Sequence, residues 1–115
     1  MLRLTPEMLA AGYEYLRATP PFLKWNLPHA DEVVFKVSKK ADTVGEYTFA
    51  DGVHQITASD KKIGHTHTLL SLIAHEIVHM YRRISGHQHW ENHGPEFAKL
   101  GRAICRVHGF DPKEF

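Results

Sequence analysis

The apolar positions divide the chain into helical and strand-like stretches. Thr5-Pro6-Glu7 sets a capping hydroxyl, a proline at the first helical position and an acid in the first turn. Leu9, Tyr13 and Leu16 then recur on one side through about residue 18, with Met8 and Tyr15 at the margins. The pattern predicts an outer helix covering one face, with no chemistry of its own. Thr19-Pro20-Pro21 stops it. Phe22, Leu23, Trp25 and Leu27 follow, an aromatic-rich stretch that reads as core rather than as a binding platform.

Strand periodicity comes next. Val33-Val34-Phe35-Lys36-Val37 is β-branched and apolar, and residues 38–42 are polar and turn-like. Residues 45–50 alternate and read as a second strand. Asp51-Gly52 is a two-residue hairpin signal that returns the chain along residues 54–59. The expected sheet is small, three-stranded and mostly antiparallel, with one face toward water.

Residues 60–64 connect this sheet to a second helical pattern. Leu69, Leu70, Leu72, Ile73, Ile77, Val78 and Ile84 form a broad apolar side, which predicts a buried helix. Thr66 or Thr68 would cap it and Gly86 would end it. Gly94-Pro95-Glu96 opens a further helix over about 95–108, again with proline and an acid in the first turn. Its Phe97, Leu100, Ile104 and Val107 should dock it against the buried helix. The fold class is α+β.

Composition narrows the rest. A length of 115 residues fits one domain, 1–115, with a single hydrophobic core. At 43% apolar and 23% charged, the chain has too much core-forming material to be disordered. The single cysteine, Cys105, excludes an internal disulfide and any Cys-based zinc ribbon or finger, and it is expected to be buried. No apolar run reaches the roughly 20 residues of a membrane span, and the start of the chain lacks the order of a signal peptide. A cytoplasmic protein with no membrane partner is expected. A net charge of +1 gives no global electrostatic case for nucleic-acid binding.

The chemistry lies in the buried helix, where His75-Glu76-Ile77-Val78-His79 is an H-E-x-x-H pattern. Helical residues four apart lie about 6 Å apart along the axis on one face, so both imidazoles can share one tetrahedral zinc. Glu76 is offset by roughly 100° and flanks that face, where its carboxylate can reach a water held by the metal without being a ligand. A Lewis acid, a water and a base are what hydrolysis needs. The competing reading is a core network of His and Glu, since burying these groups is costly unless they are paired or bound to metal.

A catalytic zinc usually takes a third protein ligand. The metzincin pattern needs glycine at position 82 and histidine at 85; Arg82 and Ser85 exclude it. A thermolysin-like glutamate could be Glu91 or Glu96. The histidine candidates are His93, then His89, then His87, because His93 stands at the entrance to a rigid helix. His65 and His67 have the spacing of a strand or turn and are set aside. For an oxyanion stabiliser, Tyr81, Arg82 and the neighbouring histidines are all near in sequence, and none has a distinguishing spacing.

Taken together, His75-Glu76-Ile77-Val78-His79 and His93-Gly94-Pro95-Glu96-Phe97 resemble the SprT-like zinc metallopeptidases, whose hallmark is HExxH followed by H-G-x-x-F. The separation, 93 − 79 = 14, is similar to the family's, and the likeness covers about residues 6–110. The resemblance implies a zincin-like core, Zn2+ held by His75, His79 and His93, Glu76 as general base, and protein substrates. Better-known relatives such as Spartan act on proteins crosslinked to DNA, which raises an association with DNA for this chain. The chain should be the minimal form, without a C-terminal zinc ribbon.

Peptide-bond hydrolysis is therefore the leading expectation. The alternative is a non-catalytic zinc-containing module that binds protein or DNA, although a purely structural zinc site has no need of Glu76. A hydrolase acting on a non-peptide substrate is a third reading, because metal-activated water is not confined to amides.

Overall fold

The structure, a computed structural model, describes residues 4–40, 44–61 and 66–115, with side chains from residue 68 in the last of these. Its elements are helix α1 (Pro6–Arg17), strands β1 (Val33–Ser38), β2 (Gly45–Ala50) and β3 (Val53–Ser59), and helices α2 (Thr66–Ile84) and α3 (Pro95–His108). Short 3-10 turns lie at Phe22–Lys24 and Ala30–Glu32. This is an α+β arrangement, compatible with a zincin-like fold. The expected turn at 38–42 and connection at 60–64 fall partly outside the described residues. So do His65 and the side chains of Thr66 and His67. Because α2 has already begun by Thr66, Thr68 lies within its first turn and is not the cap.

Local signals account for the helix ends. Thr5 Oγ1 accepts from the Met8 N–H at 3.2 Å, and Pro6 occupies the first turn. Gly86 and Gly109 close α2 and α3 with φ of 88° and 76°, the left-handed conformation that glycine adopts without steric cost.

The sheet is mixed, with strand order β1-β3-β2. β2 and β3 form the expected antiparallel hairpin, whose Asp51 and Gly52 both have positive φ (52° and 77°), as a type I′ turn requires. β1, however, pairs with β3 in parallel, so only one of the two pairings is antiparallel. The residues on either side of the β1–β2 connection both meet the end of β3: Ser59 N–H donates to the Val44 carbonyl at 2.8 Å, and Asp60 N–H to the Ser38 carbonyl at 2.9 Å. Six residues, 39–44, are ample to span two strand spacings of about 10 Å. β3 thereby becomes the central strand, which suits its fully buried Ile56 and Ala58.

One face of the sheet carries Val33, Phe35, Tyr47, Ile56 and Ala58 toward α1 and α2, while Val34, Lys36 and Glu46 face water. The single wet face is as expected. α1 is more than an outer cover: Leu9, Tyr13 and Leu16 are fully buried, and the helix packs on both α2 and β1. Tyr13 keeps its hydroxyl satisfied by donating to the Pro28 carbonyl at 2.7 Å. Phe22 and Leu27 join this core, whereas Leu23 is exposed.

Two side chains assigned to the core face outward. Ile84, at the end of α2, is exposed, and Val107 is 53% exposed. The buried stripe of α3 is Phe97, Gly101, Ile104 and Cys105, rotated away from Val107, and at Gly101 the missing side chain lets the Phe115 ring approach closely. Cys105 is buried and unpaired, as expected.

Candidate metal centre

His75 and His79 stand one turn apart on the face of α2 that meets α3 and the loop before it. That loop begins at Gly86, where the His87 N–H donates back to the Arg82 carbonyl at 3.0 Å. It ends at His93, the residue before the N-cap Gly94 of α3. The His93 Nε2 lies 3.1 Å from the Nε2 of His75 and 3.1 Å from that of His79. All three ligand atoms fall within 4.8 Å of one another, the one such group of metal-ligating side chains among the described residues. Two nitrogens on a tetrahedral zinc at about 2.0–2.1 Å would sit roughly 3.3 Å apart. The ring of Phe97 lies 4.7–4.9 Å from each imidazole and forms an apolar floor.

The outer nitrogens decide whether these residues suit a cation. His79 Nδ1 meets the Trp90 carbonyl at 2.8 Å, and His75 Nδ1 meets the backbone oxygen of Phe115. Either oxygen only accepts, so each Nδ1 carries the proton and each Nε2 presents a bare lone pair inward. His93 Nε2 holds at most one proton and can satisfy only one of the two lone pairs facing it. Three inward nitrogens with too few protons fit a metal ion and not a self-satisfied network. Burial, with His79 and His93 alongside, pushes His75 down to about 4, and burial likewise lowers His79. Both imidazoles are therefore neutral at pH 7, as ligands must be.

Glu76 flanks this cluster and is 4% exposed. Burial, and secondarily the charge of Glu46, raise its carboxyl to about 8, opposed by a hydrogen bond from the Tyr47 N–H. That donor is free because of the register. Ala50 and Val53 close a two-residue hairpin as a hydrogen-bonded pair, so alternate residues Gly45, Tyr47 and Phe49 turn their backbone groups away from β3. The free edge of β2 thus runs beside Glu76. A cavity of about 770 Å³ opens at the same place, lined by Val44, Gly45, Leu72, His75, Glu76 and Phe115 among others.

The remaining candidates are engaged elsewhere. His87 Nε2 pairs with Glu96 Oε1 at 2.9 Å. His89 and Glu91 are exposed and outside the cluster. Tyr81 stacks on Trp25 with ring centroids 4.2 Å apart.

Sequence reasoning did not anticipate three backbone contributors, the oxygens of Trp90 and Phe115 and the Tyr47 N–H. It weighed Arg82 for the oxyanion, whereas the structure sets it against the loop before His93. Arg82 is only 7% exposed, and its Nη1 donates to the Asn92 carbonyl at 2.7 Å, tying down the residue before His93. Its Nε has no hydrogen-bond partner among the described residues and faces Glu96 Oε1 in an ion pair at 3.9 Å. The signals for these roles were faint. Arg82 had no spacing that singled it out, and backbone groups carry no sequence signature.

An α+β fold here gathers three imidazoles that could hold a metal ion, two of them from one helical turn of an HExxH helix, and sets a buried glutamate beside them. The SprT-like family model matches residues 14–114, nearly the whole chain, and the chain belongs to that family. Comparison with curated proteins and with solved structures gives no match. No helix among the described residues is long and apolar enough to cross a membrane.

Proposed function

We propose that this chain is a zinc-dependent metallopeptidase that hydrolyses peptide bonds, with His75, His79 and His93 as ligands and Glu76 as general base. The observation that carries the reading is the convergence of three Nε2 atoms next to a buried carboxylate, at a cavity that borders a free strand edge. His75, His79 and His93 would hold the zinc, which when bound would supply a Lewis acid for the scissile carbonyl and for water.

The chain's own residues do the rest. The outward backbone groups of Gly45 on β2 offer an extended substrate a place to pair in the manner of an added strand, which suits an unfolded or flexible protein segment. Leu72, Val44 and Phe115 give the cavity an apolar wall that excludes water from the flanking side chain. Glu76 takes a proton from the attacking water and passes it to the departing amine. Burial favours the protonated carboxyl in the metal-free chain, and a cation held by the three histidines would oppose that shift and keep Glu76 ionised to accept the first proton.

The test is zinc content and cleavage of an unfolded protein by wild type, Glu76→Gln and His93→Ala, with and without single-stranded DNA. Wild type should bind one zinc and cut; Glu76→Gln should keep zinc and lose turnover; His93→Ala should lose both. A Glu76→Gln protein that cuts as fast as wild type refutes the assignment of the base. Zinc binding with no cleavage of any substrate favours a non-catalytic binding module. Dependence on DNA would support a role on DNA-associated proteins.

A further inference from the structure

His79 takes its orienting carbonyl from Trp90, in the loop that also delivers His93, so one segment serves both. His75 takes its orienting oxygen from Phe115, forty residues away in sequence. The turn that ends there is tightly built. Glu114 N–H and Phe115 N–H both donate to the Asp111 carbonyl, at 3.0 and 3.1 Å, and Lys113 N–H donates to Asp111 Oδ1 at 2.9 Å. The turn follows directly on Phe110, which is buried in the core.

The ring of Phe115 is held from three sides. Its centroid lies 5.4 Å from the His75 ring and 5.9 Å from the Phe97 ring. On the third side it rests on Gly101, in the middle of α3. A Cβ placed there would sit 2.9 Å from Phe115 Cδ1 and 3.1 Å from Cε1, closer than ring and methyl can approach. Glycine is a poor helix former, and Gly101 has an ordinary helical conformation, so its backbone does not need it. The need is for space, and the space is filled by this one ring. Phe115 and Glu114 also line the cavity beside Glu76.

We propose that Phe115 is a positioning residue for the metal centre. Its ring, seated in the gap that Gly101 leaves on α3, holds its backbone oxygen against His75 Nδ1–H, so that the imidazole keeps the tautomer and angle that aim Nε2 at His79 and His93. The turn at 111–115 thereby couples the packing of α3 to the readiness of the site. The inference rests on the metal-centre reading but concerns the metal-free chain as well.

The experiment has two arms. Histidine side-chain 15N NMR of the metal-free protein at pH 7.5 reads the His75 tautomer directly. Wild type should show the Nδ1-protonated form alone, and Phe115→Ala, which keeps the backbone oxygen but loses the anchor, should show both tautomers. Zinc affinity by chelator competition should fall about 10–100-fold in Phe115→Ala, the usual cost of losing an orienting partner of a ligand. Gly101→Ala should reproduce both effects from the α3 side, and Phe115→Leu, which refills the gap, should stay close to wild type. Should Phe115→Ala fail to fold, Gly101→Ala against Phe115→Leu makes the same comparison. Unchanged tautomer and affinity in folded Gly101→Ala and Phe115→Ala overturn the proposal. Wild type that takes up no zinc overturns the metal-centre reading instead, and the tautomer arm then decides by itself whether this turn orients His75.

Discussion

Glu76 makes opposite demands on stability and activity, and the conflict is measurable. In the folded, metal-free chain its carboxyl is raised from 4.5 to about 8, chiefly by burial. A group whose folded value lies above its unfolded one contributes stability that is complete below the unfolded value and is lost as the pH climbs through the folded one. For Glu76 that window runs from about 4.5 to about 8. At about 1.4 kcal/mol per tenfold change in the ionisation equilibrium, the ceiling of the loss is about 5 kcal/mol. Relaxation and water entry reduce it, so a realistic figure is about 2–4 kcal/mol. Glu76→Gln keeps the shape and an acceptor for the Tyr47 N–H and carries no charge at any pH. Urea unfolding of both proteins in excess chelator should therefore give equal stabilities near pH 4.5. By pH 8.5 the variant should be more stable, with a midpoint higher by roughly 1–2 M urea. Taking the difference between the two proteins removes the opposite trend from His75. Its value, lowered to about 4, gives stability present above 6.5 and lost as pH falls through about 4 in both. A gap that stays flat between pH 4.5 and 8.5, or a Gln variant less stable at pH 8.5, would refute the account of Glu76 as a carboxyl held against its desolvation cost.

Arg82→Met should free the Asn92 carbonyl and loosen the loop that carries His93 and Trp90, weakening zinc binding about 10–100-fold in chelator competition. Unchanged affinity would make Arg82 a packing residue only. Gly45→Ala should destabilise the fold by about 1–3 kcal/mol in urea titration, because its Cβ would lie 2.4 Å from Leu72 Cδ1 and 2.9 Å from the Thr57 carbonyl oxygen. A neutral result would mean that β2 can move away from α2. Adding zinc at about 1,000 times its dissociation constant should stabilise wild type by about 4 kcal/mol in thermal unfolding, and His93→Ala by much less. Equal stabilisation of the two would remove His93 from the ligand set.

Much of this protein is local in origin and so was legible along the chain. The Thr5-Pro6-Glu7 and Gly94-Pro95-Glu96 starts, the β-branched run at 33–37, the Asp51-Gly52 hairpin and the apolar side of α2 place the three α-helices and three strands to within a residue or two, though not the two short 3-10 turns. The i, i+4 spacing of His75 and His79 is a property of helix geometry alone, and His93 at a proline-led helix start is nearly as local. Where contacts are long-range, the pattern fell short. Whether β1 joins β2 or β3 is a matter of strand order, and both choices bury the same alternate residues, so periodicity cannot separate them.

The orienting shell around the histidines belongs to the same long-range class. Trp90 and Phe115 act through backbone oxygens, and Tyr47 through an N–H, groups that every residue carries and that only packing can bring to a given place. One trace was on view, a glycine at 101 inside an otherwise sound helix, but the ring it accommodates comes from fourteen positions further on and had no periodic relation to it. Residue types and their helical spacing thus named the candidate reactive groups. Their protonation, direction and proximity depend on neighbours remote in sequence, because burial and hydrogen-bond geometry exist only once the chain has packed.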